Sequence, residues 1–230
     1  MDNMWLKWKP CWTSTRNPLT HKILAFVSNG TPSRERPCQL LADVLAPLPI
    51  QPGKVAKEDN EYIRKGTAVV LLAYDLDTGQ RYVEVRQRRT KRDYAEFMHQ
   101  LRTNHYAHVD QLHVLQDNLN THQAGSFYDR FDAVGAHELA NQFVFHYTPK
   151  HASWLNMAEI EFAALSKQCL DRRIGDIATL EKEVLAWVEE RNRQAVKINW
   201  LFDTPQARTK LKRHYVKINS ENSITIISVD

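Results

Sequence analysis

The stretch from Phe145 to Phe162, FHYTPKHASWLNMAEIEF, decides how the chain can fold. Its apolar start predicts a strand and its TPKHAS segment predicts a turn-rich loop. Asn156, followed three residues later by Glu159, predicts the beginning of a helix. Upstream, the stretch LHVLQDNLNTH predicts another apolar strand, which ends at Asp117. Each of these two acids therefore stands where a strand or a helix meets a loop.

Composition bounds the class of protein. The 230 residues are 43% hydrophobic, which predicts one large domain with a sizeable core. The formal net charge of +4 is compatible with a phosphate-bearing partner but is weak evidence by itself. The three cysteines show neither zinc-ligand spacing nor a disulfide framework, which indicates a reducing compartment. We recognise no secretory signal and no apolar run of the roughly 20 residues that a membrane span needs.

Strand and helix signals alternate along the chain. Residues 68–76 and 81–87 predict the two strands of a β-hairpin around Asp77-Thr78-Gly79, and Thr90 with Asp93 predicts a capped helix. Further patterns predict strands at 23–27, 111–116 and 142–147, and helices from about Ala124, over 156–172, from Asp176 and from Thr204-Pro205. This order predicts an α/β fold, a mixed sheet flanked by helices. Acids at strand ends would then gather at one edge of the sheet.

Both acids have an ordinary structural explanation as well as a functional one. Asp117 could simply form a turn after its strand, or it could project from a rigid strand end as an oxygen ligand for Mg²⁺. Glu159 could complete a capping box with Asn156, or it could act in the same site. Glu161, two residues further on, is predicted to be an exposed acid of the same helix and is the second choice for the site.

Basic residues lie next to these segments in the sequence. Lys150 and His151, in the loop before the predicted helix, could contact a substrate phosphate or form an ordinary exposed turn. The run from 86 to 92 contains Arg88, Arg89 and Lys91, and a second run covers 210–214. Such runs are usually solvated faces. Beside a metal-binding edge they would bind the phosphates of a nucleic acid.

Several long stretches together resemble bacterial insertion-sequence transposases of the mariner superfamily, which have a DDE superfamily endonuclease domain. The resemblance covers about 35–215 and is carried, in this order, by PLPIQPG, YVEVRQRRTKRDYAEFM, DNLNTH, FHYTPKHASWLNMAEIEF, QCLDRRI and TKLKRHY. It implies a ribonuclease H-like core that cuts DNA at element ends and joins it to target DNA. Two divalent metals, Mg²⁺ or Mn²⁺, would be held by three acids, with Asp117 as the second and Glu159 as the third. It leaves a homodimer open and implies a bacterial cytoplasmic protein associated with the nucleoid.

The chain departs from this family at the first acid. The family carries an Asp-Glu pair before a segment like RPCQLL, and here the matching residues are Arg34 and Glu35. The resemblance therefore divides the chain into a poorly matching, possibly frame-shifted segment 1–33, a catalytic domain 34–215 and a tail 216–230. It implies a truncated copy with impaired activity. The alternative is a non-catalytic remnant of the same fold that binds DNA or full-length transposase.

Overall fold

A mixed β-sheet forms the centre of the part of the chain that the computed structural model describes, residues 21–28, 38–43, 61–148 and 156–199. Residues up to Ile198 belong to one compact unit, and 199–230 form a second unit of which only Asn199 is described. The predicted helix from Thr204-Pro205, the second basic run and the tail therefore lie outside the described residues. The strands are β1 (His21–Ser28), β2 (Cys38–Asp43), β3 (Tyr62–Asp75), β4 (Arg81–Arg86), β5 (Gln111–Gln116) and β6 (Phe143–Tyr147).

The helices follow and separate these strands. They are α1 (Lys91–Gln100), which continues as a π-helical turn (Leu101–His105), a 3₁₀ helix (Ala124–Asp129), α2 (Ala133–Asn141), α3 (Met157–Gln168) and α4 (Ile177–Arg193). Thr90 and Asp93 form the predicted capping box of α1, and Asp176 caps α4 as predicted. The helix predicted from Ala124 is instead two helices. The chain is extended at Asp132, which precedes α2, so the 3₁₀ helix cannot continue into it.

The strand order is β4-β3-β1-β5-β6, and β2 pairs with the beginning of β3. β3 is antiparallel to β1 and β4, whereas β5 is parallel to β1 and β6 is parallel to β5. Consequently β1, β4, β5 and β6 all run in one direction, and their last residues meet at one edge. We call this the carboxyl edge; it is marked by Ser28, Arg86, Gln116 and Tyr147. The predicted ribonuclease H-like mixed sheet is confirmed.

Each face of the sheet buries its own core under a pair of helices. On one face, Leu24 and Phe26 of β1 pack with Tyr94 and Phe97 of α1, together with residues of α2. On the other face, residues of β3 and β4 pack with residues of α3 and α4, among them Val70, Val83, Val85, Leu165 and Val184. Burying an aliphatic or aromatic side chain of this size contributes about 1.5–3 kcal/mol, so both helix pairs are fixed to the sheet by their apolar sides.

The predicted hairpin is confirmed, with one difference. Gly79 has φ +77°, the conformation that glycine adopts at least cost, and it turns the chain from β3 into β4. β3, however, begins at Tyr62, before the predicted start at residue 68, because its first residues pair with β2. The strand predicted at 23–27 lies within β1, which is hydrogen-bonded on both sides, to β3 and to β5. Among the described residues, no helix is long and apolar enough to cross a membrane.

Candidate active site

Asp117 follows the last residue of β5 and is only 4% exposed. Its Oδ1 lies 2.6 Å from Nδ1 of His122 and accepts a longer bond, 3.4 Å, from the backbone N–H of Leu119. Its Oδ2 is buried and has no hydrogen-bond partner within the described part of the chain. A buried carboxylate oxygen without a donor costs free energy unless something else satisfies it. The bond to Leu119 agrees with the interpretation of Asp117 as a turn residue, and its role as a metal ligand stays a prediction.

His122 links Asp117 to the end of β1. Its ring is fully buried against Phe26 and Tyr94, and its Nε2 lies 3.1 Å from Oγ of Ser28. Because a carboxylate only accepts hydrogen bonds, Nδ1 donates to Asp117, which in the neutral ring leaves Nε2 to accept from the Ser28 hydroxyl. Sequence reasoning missed both residues. His122 is the last residue of the DNLNTH stretch and lies five residues after Asp117, and this proximity in sequence could have indicated it as a partner of Asp117.

Glu159 lies in the first turn of α3 and is partly buried. Asn156 caps this helix: its side-chain oxygen accepts from the backbone N–H of Ala158 at 3.2 Å. The amide nitrogen of Asn156 donates to the backbone oxygen of Phe26 at 2.7 Å, and the residue is fully buried. This second bond ties the beginning of α3 to the end of β1. The predicted helix start is confirmed, and the carboxyl edge carries both Asp117 and the helix turn that contains Glu159.

Glu161 is not a surface acid, so that prediction is wrong. It is 1% exposed, and its carboxylate accepts from Nε of Arg81 at 2.7 Å and from Arg191 at 3.1 and 3.2 Å. Burial raises the pKa of the Glu161 carboxyl, but the hydrogen bonds and charges of the two arginines outweigh it and leave the pKa below its ordinary value. Both carboxylate oxygens are engaged inside the protein, which removes Glu161 as the second choice for a metal ligand.

The basic run at 86–92 follows β4 and so begins at the carboxyl edge. Arg88 is exposed, Arg89 is half-buried, and Lys91 is exposed with its ammonium 3.2 Å from the carboxylate of Asp129. Lys150 and His151 lie outside the described residues, in the segment that joins β6 to α3. Contact of these five residues with DNA stays a prediction.

The described residues by themselves do not supply the donors of a two-metal site. Within residues 21–28, 38–43, 61–148 and 156–199, no group of three His, Cys, Asp or Glu side chains is arranged to hold a metal ion. Asp117 and Glu159 supply two carboxylates, while the end of β1 supplies the hydroxyl of Ser28. Two hard divalent cations need more carboxylate oxygens than these residues offer. Arg34 and Glu35, where the resemblance places the first acid, lie outside the described residues.

The sequence model of the DDE superfamily endonuclease family matches residues 35–181, more than half of the chain and a span that includes both Asp117 and Glu159. The chain belongs to the DDE superfamily endonuclease family. No curated protein matches it.

Two solved structures illustrate what this endonuclease-family chain is similar to. One is the cryo-EM structure of the simian T-cell lymphotropic virus intasome in complex with PP2A regulatory subunit B56 gamma. Its sequence identity is 8%, the match covers 83% of this chain and 61% of that chain, and the TM-score is 0.36. The other is the crystal structure of the Mos1 strand transfer complex, with 12% identity, coverage of 92% of this chain and 57% of that chain, and a TM-score of 0.37. The chain thus spans about three fifths of the length of the chains it matches.

Proposed function

We propose that this DDE endonuclease domain is that of a bacterial insertion-sequence transposase of the mariner superfamily, and that it binds DNA but is impaired in strand cleavage and strand transfer. One observation carries the proposal. Asp117, at the end of β5, and the α3 turn with Glu159 are both attached to the end of β1, where they border a serine rather than an acid. The site keeps two of the three expected carboxylates.

In this proposal Asp117 and Glu159 are the second and third acids. They would hold Mg²⁺ or Mn²⁺, which in this family would activate the attacking oxygen and stabilise the leaving oxygen at the scissile phosphate. Their placement fits that role because a strand end and a capped helix turn hold side chains more rigidly than a loop does. The missing acid supports impaired catalysis, since removing a ligand weakens the site for every metal that prefers oxygen.

The basic run supports a DNA partner at the same edge. β4 is parallel to β1, and β3 alone lies between them, so the beginning of the run is about 12 Å from the end of β1. Arg88, Arg89 and Lys91 would neutralise phosphates beside the acids, and Lys150 and His151 would do so from the segment before α3. Each such phosphate contact would make the binding constant fall more steeply as the salt concentration rises.

The experiment measures DNA binding and cleavage separately on the full chain. A labelled DNA duplex should bind, and the logarithm of its binding constant should fall with the logarithm of the salt concentration, with a slope of roughly −0.9 per neutralised phosphate. The double variant Arg88→Ala, Arg89→Ala should bind more weakly and show a smaller slope. Cleavage in Mg²⁺ or Mn²⁺ should be slow or absent. Absence of salt-dependent binding would refute the DNA partner. Robust metal-dependent cleavage that Asp117→Ala abolishes would refute the impairment.

The hydrogen bonds that link Ser28, His122 and Asp117 favour a second candidate function, a non-catalytic domain that binds DNA or full-length transposase. The bond to His122 occupies Oδ1 of Asp117 and leaves Oδ2 as the only carboxylate oxygen of Asp117 that is available to a ligand. DNA binding that persists in a metal chelator, without cleavage at any enzyme concentration, would select this function. Cleavage that appears with Mn²⁺ and disappears in Glu159→Gln would select the impaired enzyme instead.

A further inference from the structure

The first half of β3 extends past the carboxyl edge of the sheet. Arg86, the last residue of β4, pairs with Val69, so the residues of β3 that precede Val69 lie beyond this edge. Among the described strands, β2 alone pairs with residues 62–68. We call the two antiparallel segments 38–43 and 62–68 the ribbon. Tyr62 is seven residues before Val69, so at about 3.3 Å per residue the ribbon projects up to about 23 Å past the end of β4.

Packing against the core does not explain the outer part of the ribbon. Residues 61–65 are all exposed, whereas residues 68–75 of the same strand are all buried. Side chains alternate between the two faces of a strand, so five consecutive exposed residues mean that neither face of this segment lies against the protein. Arg64 and Lys65 are among the five, and neither forms an ion pair with the described part of the chain. With Glu61 as the single acid among them, the ribbon presents two cations to solvent.

The segment between α3 and α4 holds the ribbon in place. The backbone N–H of Leu41 donates to the backbone oxygen of Ile174 at 2.8 Å. The guanidinium of Arg173 donates to the backbone oxygen of Glu61 at 3.3 Å and lies 5.8 Å from the ring centre of Tyr62. These contacts fix the position of the ribbon before any partner binds, so binding would not require the ribbon to become ordered.

A β-bulge shapes the ribbon. Leu40 is opposite Gly66 and the next residue, Leu41, is opposite Arg64, so Lys65 is the extra residue. Gly66 has a φ of +152°, which glycine adopts without strain. A bulge increases the right-handed twist of the strands and changes the direction of the side chain at the extra residue. The ribbon is therefore twisted at the residue that carries one of its two exposed cations.

We propose that the ribbon is a second DNA-binding element, which enters a groove of a duplex bound at the carboxyl edge and contacts its phosphates through Arg64 and Lys65. The major groove of DNA is about 12 Å wide and admits a two-stranded ribbon. The ribbon begins at the edge from which the basic run of 86–92 also begins, so one duplex can contact both. The inference rests on the proposed function in taking DNA as the partner of this edge.

The first test removes the charges of the ribbon from the full chain and measures duplex binding over a range of salt concentrations. Arg64→Gln and Lys65→Gln should each reduce the salt slope by about 0.9, which is about eightfold in affinity at 0.1 M salt, for one phosphate contact each. Arg193→Gln is the matched control, since it removes one exposed positive charge at the end of α4. Asn192, the residue before it, bonds to Arg81 at the beginning of β4, so this charge lies at the opposite edge of the sheet. The control should leave the slope unchanged.

The failure of this inference can be distinguished from the failure of the proposed function. Unchanged slopes in Arg64→Gln and Lys65→Gln would overturn the role of the ribbon, while the double variant Arg88→Ala, Arg89→Ala could still show a smaller slope. An equal loss of slope in the Arg193→Gln control would also overturn it, because the effect would then come from net charge alone. Absence of any DNA binding by the unaltered chain would refute the proposed function and this inference with it.

A cross-linking experiment tests the contact directly. Tyr62, 51% exposed, is replaced by the photoreactive residue p-benzoylphenylalanine, and the full chain is irradiated with a labelled duplex. The ribbon should cross-link to the DNA. The same replacement of Leu185, which is 46% exposed on α4, is the matched control and should give no cross-link to DNA. Absence of a DNA cross-link from the Tyr62 variant while it binds the duplex would overturn the proposal. Cross-links to a second copy of the chain instead of DNA would also overturn it and would assign the ribbon to a protein interface.

Discussion

Replacing Glu161 by glutamine should destabilise the chain strongly, because it leaves two arginines beside a neutral group. The Arg81 side chain is 0% exposed and that of Glu161 is 2% exposed. Glu161→Gln keeps the shape but removes the charge that compensates Arg81 and Arg191. Breaking a buried ion pair from one side costs about 3–5 kcal/mol. We expect the lower part of this range, since Arg81 also donates to the backbone oxygens of Gly79 and Val196.

The same substitution should change how stability depends on pH. The arginines hold the pKa of Glu161 below its ordinary value of 4.5. For a carboxyl with a lowered pKa in the folded state, the stabilisation is present above the ordinary pKa and is lost as pH falls through the folded-state pKa. The stability difference between the unaltered chain and Glu161→Gln should therefore be largest near neutral pH and should shrink once the pH falls below 4.5.

Urea unfolding at neutral and at acidic pH measures both effects. In a parallel thermal melt at neutral pH, a cost of about 3 kcal/mol should lower the midpoint of Glu161→Gln by roughly 6–12 °C for a chain of this size. The matched control is Glu190→Gln, an exposed acid of α4 paired with Arg193, which should leave the midpoint unchanged because water screens that pair. A Glu161→Gln chain as stable as the unaltered one, or a difference that does not vary with pH, would refute the reasoning.

Further substitutions test the core, the caps and the basic run. Leu165→Ala, at a fully buried position of α3, should cost about 2–5 kcal/mol in urea unfolding, whereas Leu185→Ala, at a position 46% exposed, should cost far less. Asn156→Ala removes the α3 cap and the bond to β1, and should lower the unfolding free energy by about 1–3 kcal/mol. Thr90→Ala should cost about 1 kcal/mol by loss of the α1 capping box, seen as a lower midpoint. Arg88→Ala should reduce the salt slope of DNA binding by about 0.9 if this side chain contacts one phosphate; an unchanged slope would remove Arg88 from the interface.

Local patterns predicted most of the strands and helices because each of them depends on neighbouring residues. The alternation in RYVEVR predicted β4, in which Tyr82 packs against one core and Val83 and Val85 pack against the other. The Thr-x-x-Asp spacing found the start of α1. The first residues of β3 were missed because an exposed segment, including Tyr62 and Ile63, becomes a strand only through pairing with β2. Pairing partners that lie far away in the chain leave no local pattern.

The burial of Glu161 could likewise not be predicted from the neighbouring sequence. Glu159 and Glu161 are two acids of one short helix, and their spacing does not say which of them faces the protein interior. Arg81 lies 80 positions before Glu161 and Arg191 lies 30 positions after it. Neither arginine is recognisable as a partner until the hairpin and α4 have packed against α3. Tertiary contacts thus decide which charged side chain is buried, and the local sequence does not show which of the two acids it is.

β1 forms a central strand of the sheet without a charged side chain at its last residue, Ser28. β1 forms a central strand because Leu24, Ala25 and Phe26 are apolar and fully buried, and none of this depends on its last side chain being an acid. At the carboxyl edge a serine is satisfied by His122, so the position carries no unpaired charge and costs little stability. The imidazole of His122 lies between this hydroxyl and the carboxylate of Asp117. The strand and its core packing therefore do not depend on an acidic side chain at the last residue of β1.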